Sequence, residues 1–270
     1  MDKQNRVNAV DDEMASRLLP DTAVRALGQW WSANEAAYGD GTPGAHRVLY
    51  TPGRWAGIAP WPSRLALVTG SGDAEVSRAE VARTVAGALE REAFREALVA
   101  TYVWGKGKRG TPAGSGPSTL RCILAADGLD AALSGAVATL REAGARKAYA
   151  GLLGKVPHLG PAFFTKFLYF AGLALPPAQG PAPLILDRVL AERLHHLAVA
   201  VGRETGLDPD GASVTWVWKR WNWSPHRYRI YLSFMEAAAR QLAETDSWPS
   251  HARPDLLERA LFGIKLPTPT

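Results

Sequence analysis

Apolar positions recur at helical spacing along most of the chain, and strand-like alternation is scarce. Val81, Val85, Leu89, Phe94 and Leu98 fall four or five residues apart, with Val99 beside the last, an interval that lines one helix face. Ser77, with Glu80 three residues on, fits a reciprocal cap at the start of that pattern, and Glu92-Ala-Phe predicts a break between two helices. Residues 15–38 read as a helix with Leu18, Leu19, Val24, Leu27 and Trp30-Trp31 on its buried side. Residues 118–126 and 129–153 predict two core helices, the second broken near Gly144. Ser224-Pro225 fits the cap and first position of a helix reaching about Ala243, and 254–262 fits a short amphipathic helix. Residues 46–75 differ. Pro52-Gly53, Pro60 and Pro62 punctuate them, and 65–69 is a candidate strand in irregular structure packed through Trp55 and Trp61. The pattern predicts a mostly α fold with a small irregular or β N-terminal portion. Residues 1–75 would pack on a helical core of 76–245, followed by a tail over 246–270 whose last Pro-Thr-Pro-Thr is disordered.

One helical stretch is apolar all round. Val156-Pro-His-Leu-Gly160 is a small-residue turn, Pro161 suits a first helical position, and Phe163 to Phe170 is dense in aromatics, so this helix must be buried. Lys166 sits in the middle of it. Lysine is rarely buried, so Lys166 either snorkels its amine to the surface or presents a desolvated amine for chemistry. Shortly downstream, Leu184-Ile-Leu-Asp187-Arg188-Val189 places a carboxylate at the start of another helix. Asp187 fits a helix cap, an ion-pair partner of Arg188 or Arg193, or a functional carboxylate.

Charge narrows the class of partner. The net +5 is uneven: residues 1–100 carry −2 and residues 101–270 carry +7. The C-terminal two-thirds is therefore the expected face for a polyanion. Gly105-Lys-Gly-Lys-Arg-Gly, leading into a Gly/Ser/Pro run to Pro117, is basic and lacks any acid from Thr101 to Ala126. With Lys106, Lys108 and Arg109 it fits a DNA-backbone contact or a solvated linker equally well, and its spacing is not that of a P-loop. Four of the ten tryptophans, Trp216, Trp218, Trp221 and Trp223, lie among cations including Arg220, Arg227 and Arg229. Flat rings and cations are what an unstacked base and its backbone require, although Trp216, Trp218 and Trp221 also fit core packing between helices. Cys122 is the single cysteine, which excludes an intrachain disulfide framework and a cysteine-based zinc site. No apolar run of about 20 residues and no signal pattern occurs, so a soluble, cytoplasmic, nucleoid-associated chain is expected.

Pro157-His-Leu-Gly160, a helix with a lysine, and an aspartate opening the next helix together resemble the helix-hairpin-helix superfamily of DNA glycosylases. The resemblance covers roughly residues 77–240. It is closest to 8-oxoguanine DNA glycosylases, especially their archaeal branch, where a lysine in an aromatic helix precedes an Asp-x-Arg-Val-like segment. It implies two intertwined helical subdomains around the hairpin, with double-stranded DNA carrying a modified base in the cleft between them. Lys166 is then the nucleophile, with Lys155 as the alternative, and Asp187 stabilises positive charge on the sugar. His158 and Gly160 grip the phosphate backbone, with a monovalent cation on the hairpin carbonyls and no other cofactor. Lys106, Lys108, Arg109, Arg220, Arg227 and Arg229 contact DNA, and Phe163, Phe167, Trp221 and Trp223 line the base pocket. The implied protein is a monomer that flips out 8-oxoguanine and excises it, with strand nicking by β-elimination as an accompanying activity. Two departures stand out: His158 replaces the first hairpin glycine, and Ala162 occupies the family's common lysine position, one turn before Lys166. They leave room for another modified base, such as a bulky modified pyrimidine in foreign DNA, or for an inactive DNA-binding protein of the same fold.

Overall fold

The computed structural model describes residues 1–69, 72–108, 115–176, 180–218 and 223–264. They form a mostly α-helical chain with one two-stranded sheet. The chain divides into two compact units, one from Gly44–Ile185 and the other from Met1–Pro43 with Leu186–Thr270.

In the Gly44–Ile185 unit, β1 (Arg47–Tyr50) pairs antiparallel with β2 (Ala74–Ser77), with Val48 opposite Val76. Residues 65–69, expected as a strand, lie in turns instead. There the Tyr50 hydroxyl accepts the Ala66 amide at 2.9 Å. Ser77 ends β2 and caps α3 (Arg78–Glu90): its Oγ accepts from the Glu80 amide, while the Glu80 carboxylate accepts from the Ser77 amide at 2.6 Å. Those bonds to Ser77 hold the Glu80 carboxyl below its ordinary range. The expected break falls at Glu92, whose φ is +55°, and α4 (Phe94–Lys106) follows. Next come α5 (Ser115–Leu124) and α6 (Leu129–Leu152), the latter bent at Gly144. The central helix is α7 (Pro161–Ala174), enclosed by α3, α4 and α6. Phe164, Phe167 and Phe170 are fully buried there, each contributing about 2 kcal/mol by leaving water.

The turn between α6 and α7 is pinned by Val156 and Leu159, both buried. His158, between them, has φ +64° and an exposed side chain. It therefore adopts the left-handed conformation that a glycine would favour.

The other unit contains α1 (Lys3–Ser16), α2 (Asp21–Tyr38), α8 (Arg188–Glu204), α9 (Ala212–Val217), α10 (Pro225–Ala243) and α11 (Pro254–Gly263). The apolar pattern predicts a first helix only from residue 15, yet 3–16 are helical. Val7, Val10 and Met14, three and four residues apart, make one buried stripe against α8, α9 and α10. Leu18, expected inside, is 54 % exposed. The Gln241 side chain clamps both the amide and the carbonyl of Leu19, which turns Leu19 inward and its neighbour out. No described helix is by itself long and apolar enough to cross a membrane. The final Pro-Thr-Pro-Thr lies outside the described residues.

His158→Gly should raise unfolding stability by about 1 kcal/mol, because the left-handed conformation costs a side-chain-bearing residue more than glycine. Urea denaturation of the two proteins checks this; a destabilised variant would contradict the strained-turn reading.

Candidate active site

Lys166 is 7 % exposed in the middle of α7. Its stem crosses α4 where α4 has no side chain: a Cβ on Gly105 would lie 2.5 Å from Lys166 Cδ and 2.9 Å from Cε. Side chains on a helix lean toward its N-terminus. Lys166 follows that rule fully, and its Nζ donates to the Ala162 carbonyl, one turn back, at 2.6 Å. The amine therefore stands level with Ala162 although its Cα is four residues on.

Aromatic rings surround this amine. Nζ of Lys166 lies 5.5 Å from the centroid of the Phe163 ring. Tyr102 of α4 stacks on that ring at 4.2 Å with an interplanar angle of 23°, and Trp55 meets Tyr102 edge-on at 6.2 Å. A second amine shares the ring: Lys106 Nζ is 5.1 Å from the same centroid. Burial pushes Lys106 below the ordinary lysine range. Burial also pushes the Tyr102 phenol up to about 12, only partly offset by the Thr119 hydroxyl, so this ring stays neutral at any physiological pH.

Asp187 lies in the other unit, directly after the buried residues Leu184, Ile185 and Leu186. It is the N-cap of α8, with one carboxylate oxygen accepting from the Leu190 amide at 3.0 Å. The cap fixes the side chain, and among the described residues Oδ2 makes no hydrogen bond.

The remaining predicted positions separate into groups. His158 and Gly160 are exposed on the α6–α7 turn. Gly160 has an ordinary φ of −78°, and a Cβ there would meet nothing, so the fold itself does not require glycine. Lys108 is engaged with Asp73, whose carboxyl it holds low, and its amide donates to the Leu49 carbonyl. Phe163 is half-buried, whereas Phe167 points wholly into the core. Arg227, expected at DNA, is 3 % exposed; its guanidinium lies 4.5 Å from the Trp218 ring and donates to the Val217 carbonyl. Trp223 is likewise buried, at 2 % exposure, and is no open base platform as it stands. Arg229 is partly exposed, near Asp12 and His226. Trp216 was expected to pack inside but is 53 % exposed beneath Lys3, because Val214 and Trp218, four residues apart, own the inward face of α9. Arg109, Arg220 and Trp221 lie outside the described residues.

Sequence reasoning missed Gly105, Tyr102 and Asp11. A lone glycine inside a helical pattern was the available signal for Gly105. Asp11, 3 % exposed on α1, accepts from Trp218 Nε1 at 2.7 Å and contacts His226 Nε2 at 3.0 Å, so it anchors both sides of the tryptophan-basic segment. Burial raises its carboxyl above the usual range despite these partners.

A helical protein with a buried amine among aromatic rings and a capped carboxylate has the groups that N-glycosidic bond chemistry uses. Residues 41–262 match the model of a family described as "Putative 8-oxoguanine DNA glycosylase OGG-like protein", and the chain belongs to that family. DNA is accordingly the partner that the family implies. No curated protein and no solved structure matches the chain significantly.

Two outcomes follow from this packing. Gly105→Ala should lower stability by about 1–3 kcal/mol, because the added methyl overpacks a slot filled by a buried stem, and this outweighs alanine's better helix propensity. It should also dislodge Lys166 and speed its labelling by an amine-reactive reagent, read by peptide mass spectrometry; unchanged labelling would contradict the slot. Tyr102 has a folded pKa above its unfolded value, so its contribution is complete below about pH 10 and is lost as pH rises through about 12. Tyr102→Phe should flatten this alkaline loss, measured by denaturant titrations from pH 9 to 12.

Proposed function

We propose that this protein excises a modified base, with 8-oxoguanine foremost, from duplex DNA by flipping the nucleotide out of the stack, with Lys166 as nucleophile and Asp187 as charge stabiliser. The observation that carries this reading is the folded-back side chain of Lys166, whose amine reaches the Ala162 carbonyl at 2.6 Å. Ala162 is two residues past the second hairpin glycine, where 8-oxoguanine glycosylases commonly bear their lysine. The stem carries the amine back to the level of Ala162, which supports a reach toward the cavity that a lysine in the common position serves. Family membership supports the same class of activity.

The chemistry proceeds as follows. The bond between C1′ and the base nitrogen breaks with its electron pair leaving on the base, which takes up a proton. Positive charge grows on C1′ and the ring oxygen, and a fixed carboxylate opposes it; groups of this kind account for about 100- to 1000-fold in rate. The neutral Lys166 amine adds to C1′, forming a C–N bond. Loss of the amine proton and opening of the sugar ring give a Schiff base. Removal of a C2′ proton then expels the 3′ phosphate and nicks the strand. An aromatic, water-poor pocket favours the neutral amine by disfavouring its ammonium form.

The exposed α6–α7 turn serves as the hairpin that holds a DNA phosphate. Gly160 supports this role, because its missing Cβ answers to no neighbour within the protein and so suits close approach by an external group.

Borohydride trapping on duplexes that each carry one modified base tests the reading. Wild type should form a covalent adduct with the 8-oxoguanine duplex, and Lys166→Met should form none. Asp187→Asn should lose at least about 100-fold in base release while keeping its affinity in a gel shift. Base release from none of the duplexes would sink the proposal. Release from another base, with the same residue dependence, would reassign the substrate alone.

A further inference from the structure

We propose that Lys106 is a positioning residue for Lys166: its ammonium, held over the same phenyl ring, disfavours a second positive charge in the pocket and keeps the Lys166 amine neutral and nucleophilic. This rests on the reading of Lys166 as nucleophile, and it assigns Lys106 to the reaction rather than to DNA-backbone contact.

Both amines belong to one small space. They lie 5.1 and 5.5 Å from the Phe163 centroid, and Tyr102 covers one face of that ring at 4.2 Å, which leaves them its other side and rim. Neither stem swings freely. Lys166 lies in the slot over Gly105, while the Lys106 stem runs beside Gly116, where a Cβ would be 3.7 Å from Cγ and 3.5 Å from Trp55. Among the described residues Lys106 makes no ion pair, so no local carboxylate cancels its charge.

The neighbouring helices place these titratable groups against the rings of α7. From α3 comes Arg78, placed against Trp104 and Tyr169. From α6 comes Tyr149, against Phe164. From α4 come Tyr102, a neutral phenol, and Lys106. Among the described residues the cation from a neighbouring helix over the Phe163 ring is therefore that of Lys106.

Which amine gives up its proton first follows from burial. Lys166 is 7 % exposed and Lys106 is only half-buried. Charge is penalised most where water is scarcest, so the pair holds one proton on the outer amine and leaves the inner one neutral. The Ala162 carbonyl accepts an N–H from Lys166 in either state, so the bond that aims the amine survives deprotonation. A nucleophilic lysine beside a second cation in an apolar pocket is an established way to activate an amine at neutral pH.

The test titrates the lysine side-chain amines of the full chain by NMR without DNA, with Lys166→Met assigning the Lys166 signal. Replacing Lys106 by Met or Gln should raise the Lys166 midpoint by about one pH unit, the scale of a close like charge, while Lys106→Arg should leave it low. An unchanged Lys166 midpoint in both uncharged variants would overturn the proposal. Because no DNA is present, this result is independent of whether the protein excises bases. Where trapping succeeds, the acid limb of its pH–rate profile should move up by the same amount in Lys106→Met and recover at high pH. A uniform loss at every pH would mean that Lys106 only supports the fold.

Discussion

The structure around the candidate site depends on how α7 can be buried while it carries a lysine. Its aromatic residues bind it to α3, α4 and α6, and such a helix has no tolerance for a charged group that cannot escape. The conflict is resolved locally. Gly105 removes a side chain from α4, the stem of Lys166 fills that slot, and the amine finds the Ala162 carbonyl one turn back. Without the slot the lysine would have to leave the helix interface or push the two helices apart. With it, an amine is stored among rings at a fixed place, which is the condition a nucleophilic lysine needs.

The other unit shows the opposite solution, with polar groups buried because they are paired. Asp11 sits inside against Trp218 and His226, and Arg227 lies under the Trp218 ring. Removing one member of such a set leaves the others desolvated and unmatched, a cost of about 1–3 kcal/mol for a single buried hydrogen-bonding group. The segment that looked most like a DNA-facing surface is thus partly an internal scaffold. Among its described residues Trp216 is exposed and Arg229 partly so. Asp187 is likewise held by a local bond, as one of its oxygens caps the start of α8.

Much of the fold was legible because local chemistry decided it. The Ser77–Glu80 box, the break at Glu92, the bend at Gly144, Pro161 at a first turn and Ser224-Pro225 before α10 are all set by residues within a few positions of one another. Reading failed where distant segments decided. Residues 65–69 are drawn from a strand by the Tyr50 hydroxyl, and Leu18 is turned out by a clamp from Gln241. The helix at 3–16 owes its burial to α8, α9 and α10, far along the chain.

The same division applies to the site. The sequence alone determined that a lysine lies in an aromatic helix after a small-residue turn and that an aspartate opens the next helix, because caps, prolines and period are local properties. It also carried enough of a family pattern to point to DNA glycosylases. Only tertiary structure decided where those groups stand. The amine of Lys166 stands about one turn before its own Cα because the stem leans back along α7 over a glycine of another helix. The second amine reaches Phe163 from α4, and Arg227 is withdrawn from any surface by Trp218. Each of these outcomes depends on which side chains meet across a packed interface, and no spacing within one segment encodes that.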